Sequence, residues 1–322
     1  MCIRDSRTTF DQRARLLEAF VDAITARSEA LAEQLSWQMG RPIRDAPGEL
    51  RGFAERAAPM IAIAADTLGD SQTEAAEGLV RYSRRDPLGV VFVLAPWNSP
   101  YLTAVNAVVP ALMAGNAVLL KHSAQTPLVA EAFGAAGQQA GFPDGLLQYL
   151  HLDHAQVART DRDQRVAHVC FTGSVEGGRD VQRAAAERFI SVGLELGGKD
   201  PAYVRADAPL EHAIELLVDG AFYNAGQSCC GIERIYAHER VYRDFVDGVV
   251  AAVSRYKLGN PLDPTTTLGP VARRSAAEAI RGQIQAAVAQ GARPLIDERQ
   301  FEAAAAGSAY LAPQVLVGVD HT

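Results

Sequence analysis

The stretch Gly89-Val-Val-Phe-Val-Leu-Ala-Pro-Trp-Asn-Ser-Pro100 sets the fold class. From Gly89 to Ala95 the residues are small or apolar with no polar alternation, the pattern of a strand covered on both faces. Pro96 and Pro100 then bracket a short turn, and helical spacing resumes over residues 103–114. The unit repeats downstream. Residues 117–120 predict a strand, 127–140 a helix closed by Gly141, and 146–150, 166–171 and 190–196 further strands. Such alternation predicts an α/β fold with a parallel sheet and helices on both faces. Ligands in these sheets sit beyond the carboxyl ends of the strands, which singles out Asn98, Lys121, Gly173 and Glu195.

After Gly197 the pattern starts again, with strands at 202–204 and 232–237 and helices at 209–224, 241–256 and 273–290. Upstream, apolar residues at helical spacing predict one long helix over 11–39 and an alanine-rich one over 47–67. Residues 69–87 fit neither pattern and read as a protruding hairpin, since 78–84 alternates. With 322 residues, two domains are expected, 7–196 and 197–322. Met1 to Ser6 match nothing that follows and are set aside with Cys2. The end at Thr322 carries no cap or polar tail, so a C-terminally truncated fragment is expected.

A net charge of -7 and a pI near 5.6, with no run of Lys or Arg, argue against a nucleic-acid or anionic-membrane partner. No apolar stretch is long enough to span a bilayer, and no signal pattern opens the chain. Cysteines at 2, 170, 229 and 230 form no disulfide framework, and an adjacent pair suits neither a bridge nor a zinc site. No metal is expected, and the compartment is read as reducing and cytoplasmic.

Three stretches carry candidate chemistry. Phe171-Thr-Gly-Ser-Val-Glu-Gly-Gly178 opens a helix directly after a strand, which suits a pyrophosphate and equally suits a packing turn. Gly193-Leu-Glu-Leu-Gly-Gly-Lys199 imitates a phosphate loop, but Asp200 and Pro201 replace its hydroxyl residue and its helix, so an ATPase is rejected. What remains is Glu195 at a strand end, either a solvated carboxylate or a base whose pKa is raised between Leu194 and Leu196. Gly226-Gln-Ser-Cys-Cys-Gly231 offers a loop thiol, against the simpler reading of two small packed cysteines. Cys170, inside a strand, reads as core. Asn98 offers a side-chain N–H to an oxyanion or a local turn bond.

Taken in order, these motifs resemble the aldehyde dehydrogenase superfamily over almost the whole chain. The resemblance rests on Pro96-Trp-Asn-Ser-Pro100, Gly115-Asn-Ala-Val-Leu-Leu-Lys121 with Gln125-Thr-Pro127, Phe171-Thr-Gly-Ser174, Leu194-Glu-Leu-Gly-Gly-Lys199 and Gly226-Gln-Ser-Cys229, then Leu258-Gly-Asn-Pro261 and Leu268-Gly-Pro270. It implies a Rossmann-type nucleotide-binding domain, an incomplete α/β catalytic domain and an oligomerisation hairpin near 69–87. Cys229 matches the nucleophile, Glu195 the base that activates water, and Asn98 the oxyanion donor beside the Cys229 amide. Lys121 matches the contact to the adenosine ribose, Gly173, Ser174 and Gly178 the pyrophosphate turn, and Trp97 a position lining the cofactor cleft. The implied reaction oxidises an aldehyde to a carboxylic acid through a thioester in a homo-oligomer.

Three departures qualify this pattern. Ala124 stands where many NAD-preferring members carry a glutamate, so NAD and NADP both stay open. Ala107 replaces a lysine of many hydrolytic members, and the downstream E-x-F-G-P segment is absent. Glu195 disfavours a coenzyme-A-acylating enzyme. The reading from another class is a non-catalytic fragment or assembly module.

Overall fold

The computed structural model describes residues 8–72 and 78–320. The Met1 to Ser6 stretch, the start of the first expected domain and part of the expected hairpin therefore lie outside the described residues. The chain divides into two compact units, 1–32 with 47–196, and 33–46 with 197–322. Residues 33–46, which the sequence reading placed with the first domain, group with the second unit.

Helix α1 (Phe10–Thr25) starts with a capping box, in which Thr9 and Gln12 satisfy each other's backbone amides. The single helix expected over 11–39 is two, because α2 (Ser28–Met39) follows a break. Thr25 returns its hydroxyl to the carbonyls of Val21 and Asp22, a local bond that competes with the helical ladder at the break. The second expected helix also divides, into α3 (Ala46–Ala62) and α4 (Ala64–Leu68). Pro59 withdraws a backbone donor from the last turns of α3, and the helix closes soon after it. Strands β1 (Ser71–Gln72) and β2 (Tyr82–Ser83) pair antiparallel and are exposed, the stem of the hairpin segment.

The first unit's sheet holds β3 (Val90–Ala95), β4 (Ala117–His122), β5 (Leu147–Tyr149), β6 (Val166–Thr172) and β7 (Ser191–Glu195). All pairs are parallel, in the order β5-β4-β3-β6-β7. Renumbered from its first strand this is 3-2-1-4-5, the doubly wound arrangement, with the reversal of strand order between β3 and β6. The intervening helices are α5 (Pro100–Met113), α6 (Pro127–Gln139), α7 (His154–Asp161) and α8 (Val175–Ala185).

Alternate residues of β3 face opposite sides. Phe92 and Leu94 pack with Val166, Val169 and, from α8, Val181. Elsewhere in the unit, rings of α1, α3, α5 and α6 interlock. Phe133 lies 5.6 Å from Phe20, 5.7 Å from Phe53 and 5.8 Å from Tyr101, all fully buried. Contacts of this kind are worth about 0.5–1.5 kcal/mol each beyond the area they bury.

The second unit contains parallel strands β8 (Asp200–Val204) and β9 (Ile232–Ala237), helices α9 (Leu210–Phe222), α10 (Glu239–Val253) and α11 (Arg274–Ala289), and antiparallel β10 (Arg293–Pro294) and β11 (Leu316–Val317). Val204, Val218, Phe245, Val249 and Val253 form its core with Ile296 and Phe301. Gly269 of the Leu268-Gly-Pro270 motif is held to glycine, because a Cβ there would meet the Gly40 carbonyl oxygen at 1.9 Å. Among the described residues, no helix is long and apolar enough to cross a membrane.

Candidate active site

Four sequence-selected residues fall at the carboxyl ends of four adjacent strands of the first unit. Lys121 lies near the end of β4, Asn98 in the turn after β3, Gly173 just after β6, and Glu195 at the last position of β7. The turns after β3 and β6 flank the point where strand order reverses, the position at which doubly wound sheets open a crevice. Backbone pairing fixes two of these ends together. Glu195 is registered with Thr172, and the Gly173 N–H donates to the Glu195 carbonyl at 3.0 Å.

The Glu195 side chain is exposed, so the desolvation expected from Leu194 and Leu196 does not occur. In a strand these neighbours project to the opposite face and cannot enclose the carboxylate between them. Trp97, Asn98 and Ser99 are half-buried in the turn after β3. Lys121 is half-buried too, and burial lowers its ammonium pKa from the ordinary value.

The glycine turn serves helix α8 first. Ser174 is the N-cap, its hydroxyl oxygen accepting from the Gly177 N–H at 3.2 Å. Gly178 is buried, and a Cβ there would lie 2.7 Å from Leu196 Cδ2, so its glycine permits close packing of α8 on the sheet. Cβ atoms on Gly173 and Gly177 would meet the Phe171 ring at 2.6 and 2.7 Å. The turn therefore keeps a glycine-lined surface at a helix N-terminus, with the Phe171 ring lying against it. Together with half-buried Lys121 on β4, two strands away on the same carboxyl edge, these groups fit the phosphates and ribose of a dinucleotide.

Cys229 belongs to the second unit and is exposed, as is Cys230. The backbone leading to it is unusual, since Asn224, Ala225 and Gly226 all take positive φ, at 54°, 57° and 73°. For alanine this conformation is strained, and it persists only where the surroundings impose it. Those surroundings are visible. Asn224 donates to the Gln227 carbonyl at 3.2 Å, Gln227 donates back to the Asn224 carbonyl at 2.9 Å, and Gln227 Oε1 accepts from the Ala272 N–H at 2.8 Å. Buried Arg41 reaches Asn224 and lies over the Tyr223 ring, 5.6 Å from its centroid. Gly198 completes the fit, because a Cβ there would stand 2.8 Å from the Cys229 carbonyl oxygen.

Burial, then the neighbouring Cys230, pushes the Cys229 pKa up rather than down. Cys170 is half-buried in β6, as expected of a packed cysteine. The phosphate-loop imitation is resolved as well, since Asp200 opens β8 rather than a helix and Lys199 pairs with Glu233. Sequence reasoning did not select Arg41, Glu49, His122, Asn224 or Gln227. Of these, Gln227 lay inside the quoted Gly226-Gln-Ser-Cys229 motif, and His122 carried a local signal, a histidine closing the apolar strand Ala117-Val-Leu-Leu-Lys-His122.

The chain belongs to the aldehyde dehydrogenase family, whose description matches residues 5–322. The match begins inside the N-terminal stretch set aside above. Relatives include a protein of Mycobacterium tuberculosis named succinate-semialdehyde dehydrogenase (NADP+) 1, 37% identical over 290 residues, 89% of this chain and 63% of the relative. Its namesake in Mycobacterium ulcerans is 38% identical over 289 residues, 88% of this chain and 63% of the relative. Among solved structures, succinate-semialdehyde dehydrogenase from Burkholderia pseudomallei superimposes with a TM-score of 0.91 at 30% identity, covering 98% of this chain and 65% of that one. Succinic semialdehyde dehydrogenase from Streptococcus pyogenes, in complex with NADP+, gives 0.89 at 27% identity, covering 98% and 68%. The chain thus spans somewhat less than two thirds of the curated relatives it matches, 63% of the first.

Proposed function

We propose that this chain carries the nucleophile, the base and the dinucleotide turn of an NAD(P)-dependent aldehyde dehydrogenase. The observation that carries the reading is the convergence of Asn98, Lys121, Gly173 and Glu195 on the carboxyl edge of one parallel sheet. In the reaction the Cys229 thiol loses its proton to solvent water and the sulfur bonds to the aldehyde carbon, while the carbonyl oxygen takes the charge. The Asn98 amide and the Cys229 N–H donate to that oxygen. The bound dinucleotide supplies the acceptor for the hydride that leaves this carbon. The carbonyl then re-forms as a thioester on Cys229. Exposed Glu195 removes a proton from water, the hydroxide oxygen adds to the thioester carbon, and the sulfur leaves as the acid is released.

Lys121, Ser174 and the Gly173 turn hold the dinucleotide, and Trp97 lines its cleft. Ala124 is exposed and places no carboxylate near the ribose, which with the NADP+ named for the relatives favours NADP over NAD. Those names also make a short semialdehyde the first substrate to try. The exposed β1–β2 stem is assigned to oligomer contacts, and the setting is read as cytoplasmic. The second reading is a non-catalytic fragment or assembly module, in which the exposed Cys229 is an inert loop thiol.

One assay separates them. Succinate semialdehyde and other aldehydes are offered with NADP+ and NAD+, and absorbance of the reduced dinucleotide is followed for the protein and for Cys229→Ala. Turnover that disappears in Cys229→Ala supports the enzyme. Turnover that survives it overturns Cys229 as nucleophile, and no turnover in either supports the module.

A further inference from the structure

Two buried polar side chains grip the turn that carries Asn98, and the reaction described above uses neither. We propose that Glu49 and His122 are positioning residues for Asn98, fixing the chain directly after it from α3 and from the sheet; the inference rests on the oxyanion role proposed for Asn98.

Helix α5 begins directly after this turn, and its N-cap residue Ser99 provides no side-chain cap. The cap comes instead from α3. Glu49 Oε1 accepts from the N–H groups of Tyr101 and Leu102, each at 3.0 Å, and Glu49 is buried. A carboxylate at a helix N-terminus gains from the dipole and from charge-assisted bonds, but burying it costs hydration. An aspartate at the N-cap would satisfy the same amides locally with less desolvation. Capping from a distant helix does something a local cap cannot, which is to tie the start of α5 to α3. Gly52, one turn further along α3, brings the helices together, since a Cβ there would lie 3.1 Å from Leu102 Cδ1.

The second grip comes from the sheet. His122 ends β4 and is registered with Ala95, the last residue of β3 before the turn. Its Nε2 lies 3.2 Å from the Pro100 carbonyl oxygen, and the ring packs 5.6 Å from Phe133. Complete burial pushes its pKa down to about 4, so the ring is neutral and its Nε2–H donates. Among the described residues Nδ1 has no hydrogen-bond partner. An orphaned buried nitrogen is costly, and phenylalanine would fill a slot beside Phe133 without that cost. The polar ring gains one thing phenylalanine cannot supply, the bond to Pro100.

Single-turnover acylation of the full chain by aldehyde and dinucleotide tests this. His122→Phe keeps the ring and removes the donor. It is expected to slow acylation about tenfold, to leave KM within about twofold, and to add nothing in an Asn98→Ala background. His122→Gln, whose amide N–H can replace the imidazole donor, is expected to recover most of the rate. Equal slowing with and without Asn98, or no slowing, overturns the positioning role while the oxyanion reading stands. Undiminished acylation in Asn98→Ala overturns the oxyanion reading and this inference with it. For Glu49, amide hydrogen exchange in Glu49→Gln and Glu49→Ala is read without activity. Faster exchange confined to residues 98–103 supports the grip, and unchanged exchange there removes Glu49 from it.

Discussion

Asp161 shows how much a single side chain can cost this protein. It is fully buried at the end of α7, and among the described residues neither carboxylate oxygen has a hydrogen-bond partner. Burial pushes its pKa from 3.8 up to about 6, opposed by Arg162. The folded protein therefore holds this proton more tightly than the unfolded chain. Stability is lost as pH rises through that window, and the deficit is complete above it, up to about 3 kcal/mol. Asp161→Asn is expected to raise the urea midpoint at about pH 7.5, with the gain vanishing near pH 4. A gain of equal size at both pH values would place its origin elsewhere. Residues of this kind were not legible in the sequence. Asp161, Glu49 and His122 owe their character to neighbours distant in the chain, such as Tyr101 and Pro100. Cys229 stood out because small residues flank it, yet its raised thiol pKa depends on the folded loop and on Cys230.

At the scale of elements, packing of α8 on the sheet determines where the glycine turn and the end of β7 lie. Gly178→Ala would set a methyl 2.7 Å from Leu196 Cδ2, next to Glu195. The expected cost is about 1–3 kcal/mol, and adding Leu196→Ala should recover part of it. Strictly additive losses in a denaturation double-mutant cycle would show that the two residues do not meet. The strands were readable because apolar runs such as Val90–Ala95 are short, rich in valine and bounded by Gly89 and Pro96. Helix breaks were not. The side-chain pattern of 11–39 continues across residues 26 and 27, and the hydroxyl bonds that accompany the break leave no mark on apolar spacing.

For the molecule as a whole, the sequence revealed where the strand pattern restarts but not that 33–46 would group with the later unit. That grouping depends on contacts such as the Ile43 N–H to the Pro261 carbonyl at 2.7 Å, which no periodicity encodes. The candidate residues are likewise shared, with Asn98, Lys121, Gly173 and Glu195 in one unit and Cys229 in the other. The central claim is that Cys229 sulfur becomes acylated and that Glu195 is needed to clear it. Peptide mass spectrometry of Glu195→Gln after exposure to aldehyde and NADP+ measures this directly. The account predicts an acyl adduct on the Cys229 peptide, with reduced dinucleotide formed in step with the adduct and then stopping. Continued turnover in Glu195→Gln, or an adduct on any other residue with Cys229 unmodified, would contradict it.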